Sequence, residues 1–183
     1  MKPEVSHPTP CCPDPSRWHC YNSDATEVEV LDLLTVLVDA LKPYRVIETG
    51  CHEGYGTDAI IRGLPDTSKF FTCDIGTDRV EAVRERFPDI AVVHGTGLML
   101  IDLVPSPIDF AFLDSGPDEV RANELRALYP KLSPSGVVVV HDVGLQHTNQ
   151  RRFFLEAVRE LGMQFMILDT PRGLGIARKP WSE

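Results

Sequence analysis

The residues able to do chemistry in this 183-residue chain fall in five short stretches. The first is Glu48-Thr49-Gly50-Cys51-His52-Glu53-Gly54-Tyr55, an acid followed by closely spaced glycines. Asp74-Ile75, Gly95-Thr96-Gly97, Asp114-Ser115-Gly116 and His141-Asp142 follow in order. Carboxylates and imidazoles relay protons, hold divalent cations and accept hydrogen bonds from sugar hydroxyls or ammonium groups. Glycines at short intervals let a backbone approach its ligand closely. Such groups act together only if the fold brings them to one place.

The elements before each stretch show how that happens. YRVIE, KFFTCD, IAVVHG, IDFAFLD and GVVVVHD are short, continuous apolar runs, the pattern of strands covered on both faces. Helical segments alternate with them: GYGTDAIIRGL, TDRVEAVRERF, the short link TGLMLIDL, PDEVRANELRALYPKL and NQRRFFLEAVRELG. An amphipathic helix precedes the first strand. It opens at an acidic cap candidate, Asp24, carries Val28, Leu31, Leu34, Val38 and Leu41 at helical spacing, and stops at Lys42-Pro43. MQFMILD and GLGIARK, joined by TPRG, read as a closing hairpin. The fold class is therefore α/β, a doubly wound, mostly parallel sheet with helices on both faces. Ligands of such sheets sit beyond the carboxyl ends of the strands, where all five stretches lie.

Two ligand classes use a glycine turn after the first strand. A dinucleotide wants G-x-G-x-x-G, with its pyrophosphate on a helix N-terminus. Here the order is Glu48-x-Gly50-x-x-x-Gly54, and that spacing is not met. S-adenosylmethionine carries an ammonium, a carboxylate and a sulfonium in place of phosphates. An acid beside the loop suits such a ligand and repels pyrophosphate. Asp74 is placed to accept hydrogen bonds from ribose hydroxyls in either class and does not discriminate between them.

Together these residues resemble the class I S-adenosylmethionine-dependent methyltransferases, most closely the small catechol O-methyltransferase-like branch. ETGCHEGYGT resembles the family's E-x-G-x-x-x-G loop and helix start, and CDIGTDRV its second-strand acid. VVHGTG resembles the segment flanking the adenine, DFAFLDSG the end of the fourth strand, and LSPSGVVVVHDV the fifth strand. The resemblance covers roughly residues 25–183. It implies a seven-stranded, Rossmann-like methyltransferase sheet of order 3-2-1-4-5-7-6 with the last strand antiparallel. It also implies methyl transfer, expected here to an oxygen of a small-molecule acceptor. Carried over by position, Glu48, Gly50, Cys51, His52, Gly54 and Tyr55 border the methionine part and Asp74 with Ile75 the ribose. Gly95, Thr96 and Gly97 border the adenine, and Asp114 the methionine ammonium or the acceptor.

Asp114, His141 and Asp142 are the candidate catalytic residues. In the metal-dependent members of that branch the matching positions are Asp, Asp and Asn, holding magnesium through oxygen. Imidazole at position 141 is a poor magnesium ligand and suits softer divalent ions. Three readings therefore stand side by side: Asp114, His141 and Asp142 hold a divalent metal; His141 or His147 is a general base without metal; or His141 is a hydrogen-bonded histidine at a strand end. Asp114 has a further reading as cap of the following helix, Glu48 as a holder of loop amides, and Tyr55 as a packing residue.

Residues 1–24 form a Pro- and Cys-rich extension before the domain at 25–183, holding five of the chain's fifteen prolines. Trp18, His19 and Tyr21 are candidates for a lid over the acceptor site. His7, Cys11, Cys12, His19 and Cys20 match no familiar zinc spacing. With few insertions after the fourth and fifth strands, the acceptor pocket is either open or completed by a second subunit in a homodimer. A net charge of −9 with dispersed basic residues argues against nucleic acid, and no run is long and apolar enough for a membrane helix. Without an apolar leader the chain reads as cytoplasmic. Two alternatives to the methyltransferase remain: an NAD-dependent oxidoreductase and a non-catalytic nucleoside-binding module.

Overall fold

The computed structural model describes residues 8–9 and 12–180. His7 and Cys11 lie outside the described residues.

Helix α1 (Val28–Leu41) leads into strand β1 (Arg45–Thr49). There follow α2 (Tyr55–Gly63), β2 (Lys69–Asp74), α3 (Thr77–Arg86), β3 (Ala91–His94), α4 (Gly97–Leu103) and β4 (Ile108–Leu113). The chain closes with α5 (Val120–Leu128), a 3-10 turn at Tyr129–Lys131, β5 (Leu132–His141), α6 (Thr148–Glu160), β6 (Gln164–Leu168) and β7 (Leu174–Arg178). The seven strands form one sheet of order β3-β2-β1-β4-β5-β7-β6. Neighbours from β3 to β5 run parallel, and β7 is antiparallel to both β5 and β6.

The strand pleat explains why these runs are apolar throughout. Val46 and Ile47 are adjacent and both fully buried, yet they enter different cores. Val46 packs with Phe110, Phe112 and Val139 beneath the α1 and α2 side chains Leu31, Leu34 and Ile60. Ile47 packs with Ala111, Leu113, Val138 and Val140 beneath Leu100, Leu125 and Phe154 of α4, α5 and α6. A strand with both faces covered leaves no face to solvent, so the alternation typical of half-exposed sheets is absent, and the polar residues it does carry bond one another, as Thr72 does Glu48.

Helix α1 starts later than the cap candidate Asp24. Its N-cap is Glu27, whose side chain makes no capping bond. That carboxylate is committed elsewhere: one oxygen is 2.9 Å from Nε2 of His141 and the other accepts from the backbone N of Arg172 at 2.8 Å. Helix α5 begins at Val120 behind Glu119, again without a side-chain cap, so Asp114 does not cap it.

The segment before α1 lies across the end of β1. Tyr21 stacks on Tyr55 with ring centroids 4.5 Å apart, and Nδ2 of Asn22 donates to Glu53 at 3.0 Å. Of the aromatic lid candidates Tyr21 alone is seen against the loop. Trp18 accepts from Sγ of Cys12 through its carbonyl, and His19 pairs with Glu29. No helix among the described residues is long and apolar enough to cross a membrane.

Candidate functional site

Strand order reverses between β1 and β4, and the crevice above that switch point is where an open α/β sheet binds its ligands. Gly50 and Gly54 take φ of +82° and +78°, left-handed values that turn the chain sharply after β1. At Gly50 a Cβ would stand 2.6 Å from the carbonyl oxygen of Asp114, so the β1 loop lies directly on the tip of β4. Glu124 of α5 ties the same two tips together. Its carboxylate accepts from Thr49 Oγ1 at 2.8 Å and from Ser115 Oγ at 2.5 Å.

A crevice opens there, lined by Glu48, Gly50, Cys51, His52, Glu53, Tyr55, Gly56, Phe112 and Asp114, with Asp24, Ala25 and Thr26 of the N-terminal segment across it. Glu48 is buried and accepts from Thr57 Oγ1 at 2.5 Å and Thr72 Oγ1 at 2.7 Å. It therefore holds hydroxyls of α2 and β2 and makes no bond to loop amides. Burial pushes its pKa up to about 7, against the pull of the two hydroxyls. Cys51 and Cys73 are buried free thiols, and burial pushes Cys73 up to about 12, so neither is a reactive thiolate.

At the tip of β2, Asp74 faces the same loop. Its Oδ2 accepts from the backbone N of His52 at 3.0 Å and its Oδ1 from Gly76 N at 2.8 Å. The apolar side chains around the next tips are unusually open. Ile75 is 72% exposed, Met99 51% and Leu98 46%. Thr96 caps α4 by accepting from Met99 N, which fixes this rim, and Gly95 leaves room for the Met99 thioether.

Beyond the crevice Asp114, His141 and Asp142 do come together, with one ligand atom of each lying within 4.8 Å of the others. They are not alone. His141 is fully buried, its Nδ1 3.2 Å from Asp114 Oδ1 and its Nε2 2.9 Å from Glu27 Oε2. Both neighbours are carboxylates, which only accept, so both ring nitrogens donate and the ring is an imidazolium. Burial disfavours that charge, but Asp114 and Asp142 outweigh it and push the pKa up to about 10. Arg121 Nη2 bridges Asp114 at 3.2 Å and Asp142 at 2.9 Å. Arg172 grips Asp142 with Nε at 2.6 Å and Nη2 at 2.9 Å. Thr26 Oγ1 donates to the remaining Asp114 oxygen at 3.1 Å. Asp142 itself takes φ +61°, a left-handed conformation that costs a residue with a Cβ about 1–2 kcal/mol. His147, at the N-cap of α6, sits at the edge of this cluster with Nε2 3.5 Å from Asp142 Oδ1.

A family model described as a methyltransferase domain matches residues 47–143, from β1 to just past β5. The chain belongs to that family. Solved structures agree on the fold of this methyltransferase. Cofactor-bound Rv0187 from MTB superposes with a TM-score of 0.77 at 19% identity, over 88% of this chain and 84% of that one. An O-methyltransferase from Bacillus cereus in complex with SAH gives 0.69 at 15% identity over 86% and 84%. The O-methyltransferase TomG from Streptomyces achromogenes, involved in tomaymycin synthesis and crystallised with SAM, gives 0.68 at 18% over 86% and 82%. No curated protein matches the methyltransferase by sequence.

The donor set at the magnesium positions does not fit a divalent ion. His141, donating from both nitrogens, offers no lone pair, and both Asp142 oxygens are held by Arg172, which leaves Asp114 as the one open donor of the three. Three carboxylates, Glu27, Asp114 and Asp142, face three cations, His141, Arg121 and Arg172, and the cluster is neutral without an ion. Sequence reasoning missed Glu27, Arg121, Arg172 and Glu124 in this methyltransferase, and missed Leu98 and Met99 on the rim.

Proposed function

We propose that the protein transfers a methyl group from S-adenosylmethionine to an oxygen of a small-molecule acceptor. The observation that carries this is the crevice at the β1/β4 switch point, where two left-handed glycines turn the backbone between the acids Glu48 and Asp114. The residues present suit the cofactor. Asp114 stays ionised: burial opposes its charge, but His141 and Arg121 lower its pKa, so it can receive an ammonium. Asp74 stands at the β2 tip for ribose hydroxyls, and the open side chains Ile75, Leu98 and Met99 offer an apolar face for a purine. When bound, S-adenosylmethionine supplies a methyl group already activated by the sulfonium charge.

What remains for the protein is alignment, exclusion of water and removal of a proton. The Tyr21–Thr26 segment, stacked on Tyr55 and bonded to Asp114, serves as a cover over the crevice. His141 holds the charged cluster and has no nitrogen left for a substrate proton. His147 takes the base role: it is partly exposed, and burial lowers its pKa so that it is neutral and able to accept a proton. A small acceptor agrees with the acidic surface, and the free thiols Cys12, Cys51 and Cys73 agree with a reducing, cytoplasmic setting.

Calorimetry with S-adenosylmethionine, S-adenosylhomocysteine and NAD in parallel tests the reading. The two sulfur nucleosides should bind one to one and NAD should not. Binding of NAD alone would favour the oxidoreductase, and sulfur-nucleoside binding without turnover on any oxygen acceptor would favour the binding module.

A further inference from the structure

The magnesium-holding members of the resembling branch present oxygen ligands to an ion at the tips of the fourth and fifth strands. Here those tips carry a guanidinium pair. Arg121 reaches in from α5 and bridges Asp114 and Asp142 through one nitrogen, and Arg172 reaches in from the β6–β7 turn and takes both oxygens of Asp142. We propose that Arg121 and Arg172 occupy the divalent-cation position of this fold as built-in cations, so that the protein binds no metal there and works without one.

Three observations converge on this. The geometry is bidentate, the arrangement in which guanidinium and carboxylate attract most strongly. Arg172 is held by more than Asp142: its backbone N donates to Glu27 at 2.8 Å and its Nη1 to the carbonyl of Asp24 at 3.0 Å. Arg121 is 8% and Asp142 6% exposed, so a hydrated ion has no open approach to Asp142. A divalent ion would have to displace at least one guanidinium and leave it buried beside another cation, an arrangement strongly disfavoured at low dielectric. The consequence for methyl transfer rests on the function proposed above, whereas the competition between guanidinium and metal does not.

The test is a titration with Mn2+ of chelator-dialysed protein, read by the electron paramagnetic resonance of free Mn2+, with magnesium as a competitor. The wild type should take up no stoichiometric Mn2+ up to about 1 mM, a concentration that fills even weak oxygen sites. Arg172→Ala should open the position and bind one Mn2+ at least about tenfold more tightly than wild type. Arg172→Ala combined with Asp142→Asn should lose it again. One-to-one uptake by the wild type that Asp142→Asn abolishes overturns the proposal, as does a folded Arg172→Ala that binds no better than wild type. If Arg172→Ala does not fold, the wild-type titration decides alone: no uptake upholds the proposal, and uptake abolished by Asp142→Asn overturns it. S-adenosylhomocysteine calorimetry on the metal-free wild type reports on the proposed function separately, since nucleoside binding there is measured whether or not Mn2+ is taken up.

Discussion

Arg172 meets Asp142 edge to edge, with Nε 2.6 Å from Oδ1 and Nη2 2.9 Å from Oδ2. The contact joins the turn between β6 and β7 to the end of β5, and through Arg121 it reaches α5. The last hairpin is thereby locked to the centre of the site by charge as well as by strand pairing.

Arg172→Ala should cost about 3 kcal/mol, because removing one member of a buried pair strands the other. Urea denaturation at pH 7 measures it. Asp142→Asn in the same chain should recover much of that loss, since the stranded charge is gone. A double-mutant cycle with no coupling between the two positions would show that the pair contributes only geometry.

Stability should depend on pH in a direction set by two groups with raised pKa values. Glu48 is held at about 7 against an ordinary 4.5, and His141 at about 10 against 6.5. Each favours the protonated form in the folded state. The Glu48 contribution is complete below its unfolded value and is lost as pH rises through 7, and that of His141 is lost as pH rises through 10. Glu27, Asp114 and Asp142 are lowered despite burial, chiefly by His141, and their contributions are lost as pH falls. Thermal stability should therefore peak at about pH 5–6 and decline toward alkaline pH. Glu48→Gln, a neutral isostere, should be more stable than wild type at pH 8 by up to about 3 kcal/mol and equal to it near pH 4. A gap between the two proteins that does not change with pH would contradict the raised value.

The architecture was legible because the strands are buried on both faces. Where Val46 and Ile47 each enter a different core, the run stays largely apolar, and the element order follows directly. The strand tips were legible too, since each run ends in a polar or glycine cluster. The counter-charges were not, because they come from distant elements. Two of them nonetheless left a trace. Glu27 precedes Leu31, Leu34 and Val38 at helical spacing, and Arg121 precedes Leu125 and Leu128 likewise, so each is a charge on an apolar stripe. Such a charge is buried and needs a partner. Arg172 lies in a turn with no periodicity and left no such sign.

Asp74→Ala should weaken S-adenosylhomocysteine binding about tenfold or more in calorimetry, through loss of the proposed ribose acceptor and the loosened loop. Because Asp74 also accepts from the backbone of His52 and Gly76, stability should fall by about 1–2 kcal/mol. Arg79→Ala removes a half-exposed neighbour 3.6 Å from Asp74 and should leave affinity nearly unchanged. Equal effects of the two substitutions would remove Asp74 from the ligand site.

Two left-handed glycines separate backbone strain from close packing. At Gly162 φ is +63° and nothing lies within 4 Å of a built Cβ, so alanine should cost only about 1 kcal/mol. At Gly50 φ is +82° and a Cβ would stand 2.6 Å from the Asp114 carbonyl, so alanine must push β4 away from the β1 loop. Gly50→Ala should cost about 3 kcal/mol or more and weaken nucleoside binding as well. Similar urea midpoints for the two variants would mean that the β1 loop and the β4 tip are less tightly apposed than the geometry shows.

The two histidines of the cluster make opposite predictions for catalysis. His141 is an imidazolium locked between Glu27 and Asp114, whereas His147 is partly exposed at the mouth of α6 with Asp142 3.5 Å from its Nε2. Burial lowers the pKa of His147, and Arg172, His141 and Arg121 push the same way against Asp142. It is therefore neutral at pH 7 and becomes protonated only below its ordinary range. As the proposed base, His147 should set an acidic limb in the pH profile of kcat. His147→Ala should reduce kcat by about 10²–10⁴-fold, abolish that limb and leave S-adenosylmethionine affinity intact. His141→Gln should instead lower stability first, because Glu27 and Asp114 lose a shared cation. A His147→Ala enzyme that retains both full kcat and the acidic limb would transfer the base role away from α6.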